Sequence, residues 1–148
     1  MRCALPLLAL PLLMPLSAHA RPGWTTGTFV YADLCTEPSG GMAGRRVVVR
    51  RSPNGNDVTY QAALGALSAP LPADALSIDD ERREIAFTVE GADGPVRFQG
   101  TAAATVLSGT LTDRDGEHPL QLRRVLRSRA DEACRPDLRE PEATGSTD

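Results

Sequence analysis

Residues 45–62 read Arg45-Arg46-Val47-Val48-Val49-Arg50-Arg51-Ser52-Pro53-Asn54-Gly55-Asn56-Asp57-Val58-Thr59-Tyr60-Gln61-Ala62. Val47 and Val49 sit between two Arg pairs, and Val58, Tyr60 and Ala62 alternate with Asp57, Thr59 and Gln61. A period of two is the mark of strands buried on one face only. Between the two runs, Ser52-Pro53-Asn54-Gly55-Asn56 supplies Gly and Asn residues that tolerate positive φ, so the strands are expected to pair as an antiparallel hairpin.

The same grammar extends in both directions. Phe29 and Tyr31 alternate with Thr28 and Val30, and further alternation runs through Ile85, Phe87 and Val89, through Val96 and Phe98, through Leu107, Gly109 and Leu111, and through Leu120 and Leu122. Gly91-Ala92-Asp93-Gly94-Pro95 and Asp113-Arg114-Asp115-Gly116-Glu117 are turns of the same kind, and Asp79-Asp80-Glu81-Arg82-Arg83 is a charged turn before Glu84-Ile85. With a further strand over Thr101–Val106, this predicts seven or eight strands joined by short connections, hence a meander. An open meander leaves two edges exposed to pairing, and closing it removes them, which favours a small up-and-down β-barrel over a sandwich. Pro70 and Pro72 interrupt the alternation and mark an edge, a bend or a loop over the barrel mouth.

The ends of the chain carry different signals. Residues 1–20 combine Arg2, an apolar Leu- and Pro-rich run and Ala18-His19-Ala20, the pattern of a cleaved secretory signal. Export to the periplasm or beyond follows as an expectation. Cys35 and Cys134 remain after cleavage and are expected to form a disulfide in an oxidising compartment, clasping the end of the chain to its first strand. The barrel domain is expected over 21–135, with one or two helical turns over Ser128–Arg135. Residues 136–148, with two Pro and many charges, read as a disordered tail.

All sixteen basic residues are Arg, against 19 carboxylates, for a formal charge of −3. Such a surface disfavours nucleic acid and anionic membranes as partners. No stretch after the first twenty residues has the apolar length of a spanning helix.

In architecture the chain resembles the lipocalin-like, or calycin, barrels. The matching features are Gly23-Trp24 just before the first strand, the repeated hairpins, and Arg123/Arg124 on the last strand, where that family stacks an Arg against the Trp. The resemblance covers Gly23 to Val125 in outline. It implies an exported barrel that binds a small apolar or amphipathic molecule; if the chain is such a barrel, Trp24, Tyr31, Tyr60 and Arg124 are the residues expected at the ligand. A protein-binding envelope factor, or an inhibitor of a secreted hydrolase, acting through the uncharged loop Ser39-Gly40-Gly41-Met42-Ala43-Gly44, is the alternative.

Catalytic signals are sparse. His118 is the one His after the signal and is read as a solvated turn residue, because no Ser in a nucleophile elbow accompanies it: Ser108-Gly109 lacks the preceding Gly-x. Asp113, Asp115 and Glu117 alternate like calcium ligands but lack the twelve-residue spacing, so a charged hairpin turn is expected. Asp79, Asp80, Glu81 and Glu84 are balanced locally by Arg82 and Arg83. Nothing in the sequence calls for a metal or cofactor, and the expected activity is binding, not catalysis. The Arg doublets 45/46, 50/51, 82/83 and 123/124 pose a sharper question. Adjacent strand residues point to opposite faces, so one of each pair lies at a strand end or points inward, where it would offer an anion or carboxylate site at a barrel mouth.

Overall fold

The computed structural model describes residues 26–126 and 132–134. The predicted signal, Trp24 and the predicted tail lie outside these residues. The described chain is all β, with strands β1 (Gly27–Ala32), β2 (Cys35–Thr36), β3 (Met42–Ser52), β4 (Gly55–Leu67), β5 (Leu71–Pro72), β6 (Ala75–Asp79), β7 (Glu84–Gly91), β8 (Gly94–Ala102), β9 (Val106–Asp113) and β10 (Gly116–Arg124). They form one antiparallel sheet in the order β5-β4-β3-β1-β10-β9-β8-β7-β6, with β2 added beside β3. Eight of the ten have five residues or more.

This order is the expected meander closed on its first and last strands: Tyr31 pairs with Arg124 and Ala32 with Arg123. The sheet curls into a half-barrel whose two edges, β5 and β6, are successive pieces of one stretch. Leu71 and Pro72 pair with β4, and Ala75–Asp79 pair with β7. Between them the Ala73 N–H donates to the Val58 carbonyl at 2.9 Å and the Asp74 N–H to the Thr88 carbonyl at 2.9 Å. Pro70 and Pro72 thus mark the bend where the chain changes partner.

Three hairpins turn through two residues, Pro53-Asn54, Ala92-Asp93 and Arg114-Asp115. Gly94 and Gly116 each close their turn at φ 115°, a conformation that costs a side-chain-bearing residue about 1–2 kcal/mol. Pro119 lies inside β10 without breaking it. Its missing N–H faces away from β9, toward the β1 side, and β1 pairs only with Arg123 and Arg124.

The alternation read in the sequence decides the inner face. Phe29, Tyr31, Val47, Val49, Val58, Tyr60, Ile85, Phe87, Val89, Phe98, Ala102, Leu107, Leu111, Leu120 and Leu122 form one buried cluster. Phe87 stacks on Phe98 with ring centroids 5.2 Å apart. Burial of each large member contributes about 1.5–3 kcal/mol. At the middle of this face Gly100 pairs with Gly109. A Cβ on Gly100 would lie 2.6 Å from the Gly109 Cα and 2.9 Å from the Phe98 ring. The two strands approach there as no larger residue permits, and the Phe98 ring covers the gap, a pairing that lets a sheet bend sharply.

Three sequence expectations change. Thr101–Val106 is not a strand of its own: Thr101 and Ala102 end β8, residues 103–105 turn, and Val106 begins β9. The Ala run supplied β-compatible residues without the bulk to anchor another strand. Of the helical turns expected over Ser128–Arg135, only residues 132–134 are described, and these run alongside β2 as a bridge, not as a helix. Ala133 bridges Thr36 in parallel, with Thr36 N–H donating to Glu132 O at 2.8 Å and Cys134 N–H to Thr36 O at 2.9 Å. The Cys35–Cys134 disulfide fixes this strap. The predicted loop Ser39–Gly44 is split: residues 37–41 turn, and Met42, Ala43 and Gly44 already pair with Gly65, Leu64 and Ala63.

Candidate functional site

Tyr31, Val47 and Tyr60 lie in one row across β1, β3 and β4. All three face the core, yet the two hydroxyls run to opposite ends of the half-barrel. Tyr31 is fully buried and donates to the Ala103 carbonyl at 2.8 Å, in the turn between β8 and β9. Tyr60, 4 % exposed, reaches toward Arg45 at the end that carries the disulfide.

At the Tyr60 end the site is built by a local distortion. The Asp33 N–H donates to the Arg45 carbonyl at 3.1 Å, and the Arg45 N–H donates back to the Asp33 carboxylate. Between them Gly44 has φ 108°, and a Cβ there would lie 2.7 Å from the Asp33 carbonyl oxygen. Only glycine allows this approach. Arg45 shares the inward face of Val47 and Val49, near enough to the Tyr60 hydroxyl for its charge and hydrogen-bonding capacity to act on that group. Among the described residues Arg45 has no carboxylate within ion-pairing distance. Burial raises the Tyr60 pKa above its ordinary value of 10.0; the Arg45 charge and hydrogen bond oppose this, and the charges of Asp113 and Asp33 add to it.

Asp113 also receives His118, whose Nε2 lies 3.2 Å from the Asp113 carboxylate. His118 is therefore a half-buried strand residue paired with Leu111, not a turn residue. The mouth thus gathers Arg45, Tyr60, Asp113 and His118, which the sequence presents as unrelated features, together with Asp33. Nothing in the sequence marks Asp33, because its role depends on the positive φ and close approach at Gly44. Asp115 stays in the turn, its N–H donating to Asp113 at 2.9 Å. No group of three or more His, Cys, Asp or Glu among the described residues is placed to hold a metal ion.

The opposite end has its own polar closure. Arg124 places its guanidinium carbon 4.8 Å from the Phe29 ring centre and donates to the Ala104 carbonyl at 3.3 Å. Burial raises the Tyr31 pKa, and the Arg124 charge partly offsets it. Of the four residues expected at a ligand, Tyr31 and Arg124 meet at this end, Tyr60 turns to the other, and Trp24 lies outside the described residues. Arg51, the inward member of its doublet, is buried here: its Nε donates to Asn56 at 2.9 Å, and Nη1 and Nη2 reach the Asp80 carboxylate at 2.9–3.0 Å. The charged turn 79–83 is therefore not balanced only within itself. Arg46, Arg50 and Arg123 take the outward positions that alternation assigns them.

The outer face of β7–β9 carries two open depressions of about 360 and 410 Å³, which share Ala86 and Gln99 and are flanked by residues such as Ser77, Thr101, Arg97 and Glu117. No helix among the described residues is long and apolar enough to cross a membrane. No protein-family model matches the chain, and no curated protein or solved structure matches it at a significant level.

Proposed function

We propose that this chain is an exported, non-catalytic binding protein that holds a small amphipathic molecule at the Arg45–Tyr60 mouth, with the molecule's carboxylate or other acceptor group on Arg45. The observation that carries this reading is Arg45 itself. A half-buried guanidinium without an ion-paired carboxylate among the described residues, beside a buried phenol, offers the forked donor set that planar anions take. The core residues already fill the inner face, so the polar head rests at the mouth, outside the packed core. Three further features support the reading: the signal-like first twenty residues, the disulfide, and the outline resemblance to lipocalin-like barrels. His118 and Asp113 serve as a hydrogen-bonding flank to the head group.

The test is native mass spectrometry of the protein purified from its own exported fraction, with a denatured run alongside. A reproducible small-molecule increment on the native mass, lost in Arg45→Met and weakened in Tyr60→Phe, is expected. A bare native monomer that also fails to take up any of a panel of amphipathic carboxylates would overturn the proposal.

A further inference from the structure

Two of the arginine doublets, 45/46 and 123/124, are far apart in sequence and meet on the sheet. Ala32 of β1 pairs with Arg46 of β3 on one side and with Arg123 of β10 on the other. The inward members, Arg45 and Arg124, are taken up at the two ends of the half-barrel. Val47 and Leu122, the next residues along, are fully buried, so Arg46 and Arg123 point outward, where Arg46 is half-exposed and Arg123 exposed. They therefore share one row of the outer face with a small, half-exposed alanine between them. Neighbouring strands stand about 4.8 Å apart, which places the two Cα atoms about 10 Å from each other and leaves the space above Ala32 within reach of both guanidinium groups.

The surroundings leave this pair unneutralised. Register sets Gln61 beside Arg46 and Val106 beside Arg123, with Val48, Val30, Ser108 and Gln121 in the adjoining rows, and none of these is acidic. Asp33 follows Ala32, but its carboxylate is engaged by the Arg45 N–H. The outward carboxylates of these strands lie farther off: Asp57 is opposite Arg50, and Glu117 is six residues before Arg123. The strap's Glu132 stands beside Thr36. Among the described residues neither Arg46 nor Arg123 has a carboxylate within ion-pairing distance. In a chain of formal charge −3, two such groups flanking a small residue make a local positive focus.

We infer that Arg46 and Arg123 clamp a phosphate monoester-type anion over Ala32. A carboxylate is satisfied by one guanidinium fork, whereas a phosphate offers three acceptor oxygens and roughly two negative charges at neutral pH, which suits a fork from each side and matches the charge of the pair. Ala32 supplies the room, because a larger outward side chain would fill the space between the two arginines. Ser108 and Gln121, paired with each other next to Arg123, add a hydroxyl and an amide at the rim. Inorganic phosphate and a phosphatidic acid headgroup share this chemistry. Arg45 and Arg46 face opposite sides of the sheet, so the inference is independent of the ligand reading at Arg45.

Titration of the full, disulfide-bonded protein with inorganic phosphate, from about 0.1 to 20 mM at low ionic strength, tests it through the amide signals of Ala32, Arg46 and Arg123. Saturable shifts are expected, with the dissociation constant raised at least tenfold in Arg46→Gln and in Arg123→Gln. Arg97→Gln, which removes an outward charge from β8, is expected to leave it unchanged. Ala32→Val, which fills the floor of the clamp and alters no charge, should weaken binding in a protein whose amide spectrum stays native. Flotation with phosphatidylcholine vesicles, with and without phosphatidic acid, separates the sources. Capture by phosphatidic acid that Arg46→Gln abolishes assigns a headgroup, and phosphate binding without capture assigns the free anion. Saturable binding in neither arm, binding that Arg46→Gln and Arg123→Gln leave intact, or an equal loss in Arg97→Gln would each overturn the assignment.

Discussion

Arg51 and Asp80, 29 residues apart, close one end of the half-barrel with a forked ion pair in which Nη2 lies 2.9 Å from the carboxylate. Arg51 is 7 % exposed and belongs to the β3–β4 hairpin; Asp80 is half-exposed and begins the β6–β7 turn. The pair spans the part of the seam where β4 and β6 do not bond to each other. Removing Asp80 takes the forked carboxylate from a buried guanidinium that keeps its bond to Asn56. Because water reaches Asp80, the cost of Asp80→Ala is set at about 1–3 kcal/mol, below that of a fully buried pair. Urea unfolding should show a lower midpoint with an unchanged slope.

Gly109→Ala should be far more damaging than Gly116→Ala. A Cβ on Gly109 would meet the Gln99 carbonyl oxygen at 2.2 Å and the Gly100 Cα at 2.6 Å, both backbone atoms that cannot rotate away. A Cβ on Gly116 meets nothing within 4 Å and pays only for its positive φ. Expected losses are about 3 kcal/mol or more against about 1–2. Thermal melts of the two variants, recorded together, check the order.

The chain has two tyrosines, and burial raises the pKa of both above 10.0. Phenolate absorbance on alkaline titration should therefore rise at higher pH in the native protein than in the unfolded one. The linkage follows with a definite sign. Where the folded pKa exceeds the unfolded value, the stability contributed is fully present below pH 10 and is lost as pH rises through the folded values. Native and unfolded titrations that coincide would show that the hydroxyls are solvated.

Cys134→Ser should lower the melting temperature by several degrees. The bond joins residues 99 apart in sequence, and the chain-entropy estimate for a loop of ~100 residues is about 4.7 kcal/mol, an upper figure. The same variant frees the strap at Thr36, so exchange of the amides of residues 36 and 134 should speed up even where the rest of the sheet remains protected.

Much of the fold is legible in the residues. Alternation around Val47/Val49 and Val58/Tyr60 assigns the buried face of β3 and β4 correctly, because strand side chains have a fixed period of two and one face alone meets the core. The Asn–Gly and Asp–Gly turns mark the hairpins, and Cys35 and Cys134 pair as the two cysteines left after the predicted signal. The Thr101–Val106 reading fails because an Ala run lacks the bulk that separates strand from turn. His118 is misread as a turn residue because its anchor, Asp113, is set by hairpin register.

What the sequence by itself determines is therefore the all-β meander, its inward-facing side chains and its disulfide, since each follows from local periodicity, turn chemistry or arithmetic. Tertiary structure alone decides the rest: that Arg45 meets Tyr60, that Arg51 crosses to Asp80, and that two tyrosines of one row send their hydroxyls to opposite ends. These relationships depend on curl, register and the Gly100–Gly109 and Gly44 close approaches. Those distances are properties of the folded sheet and leave no periodic trace along the chain.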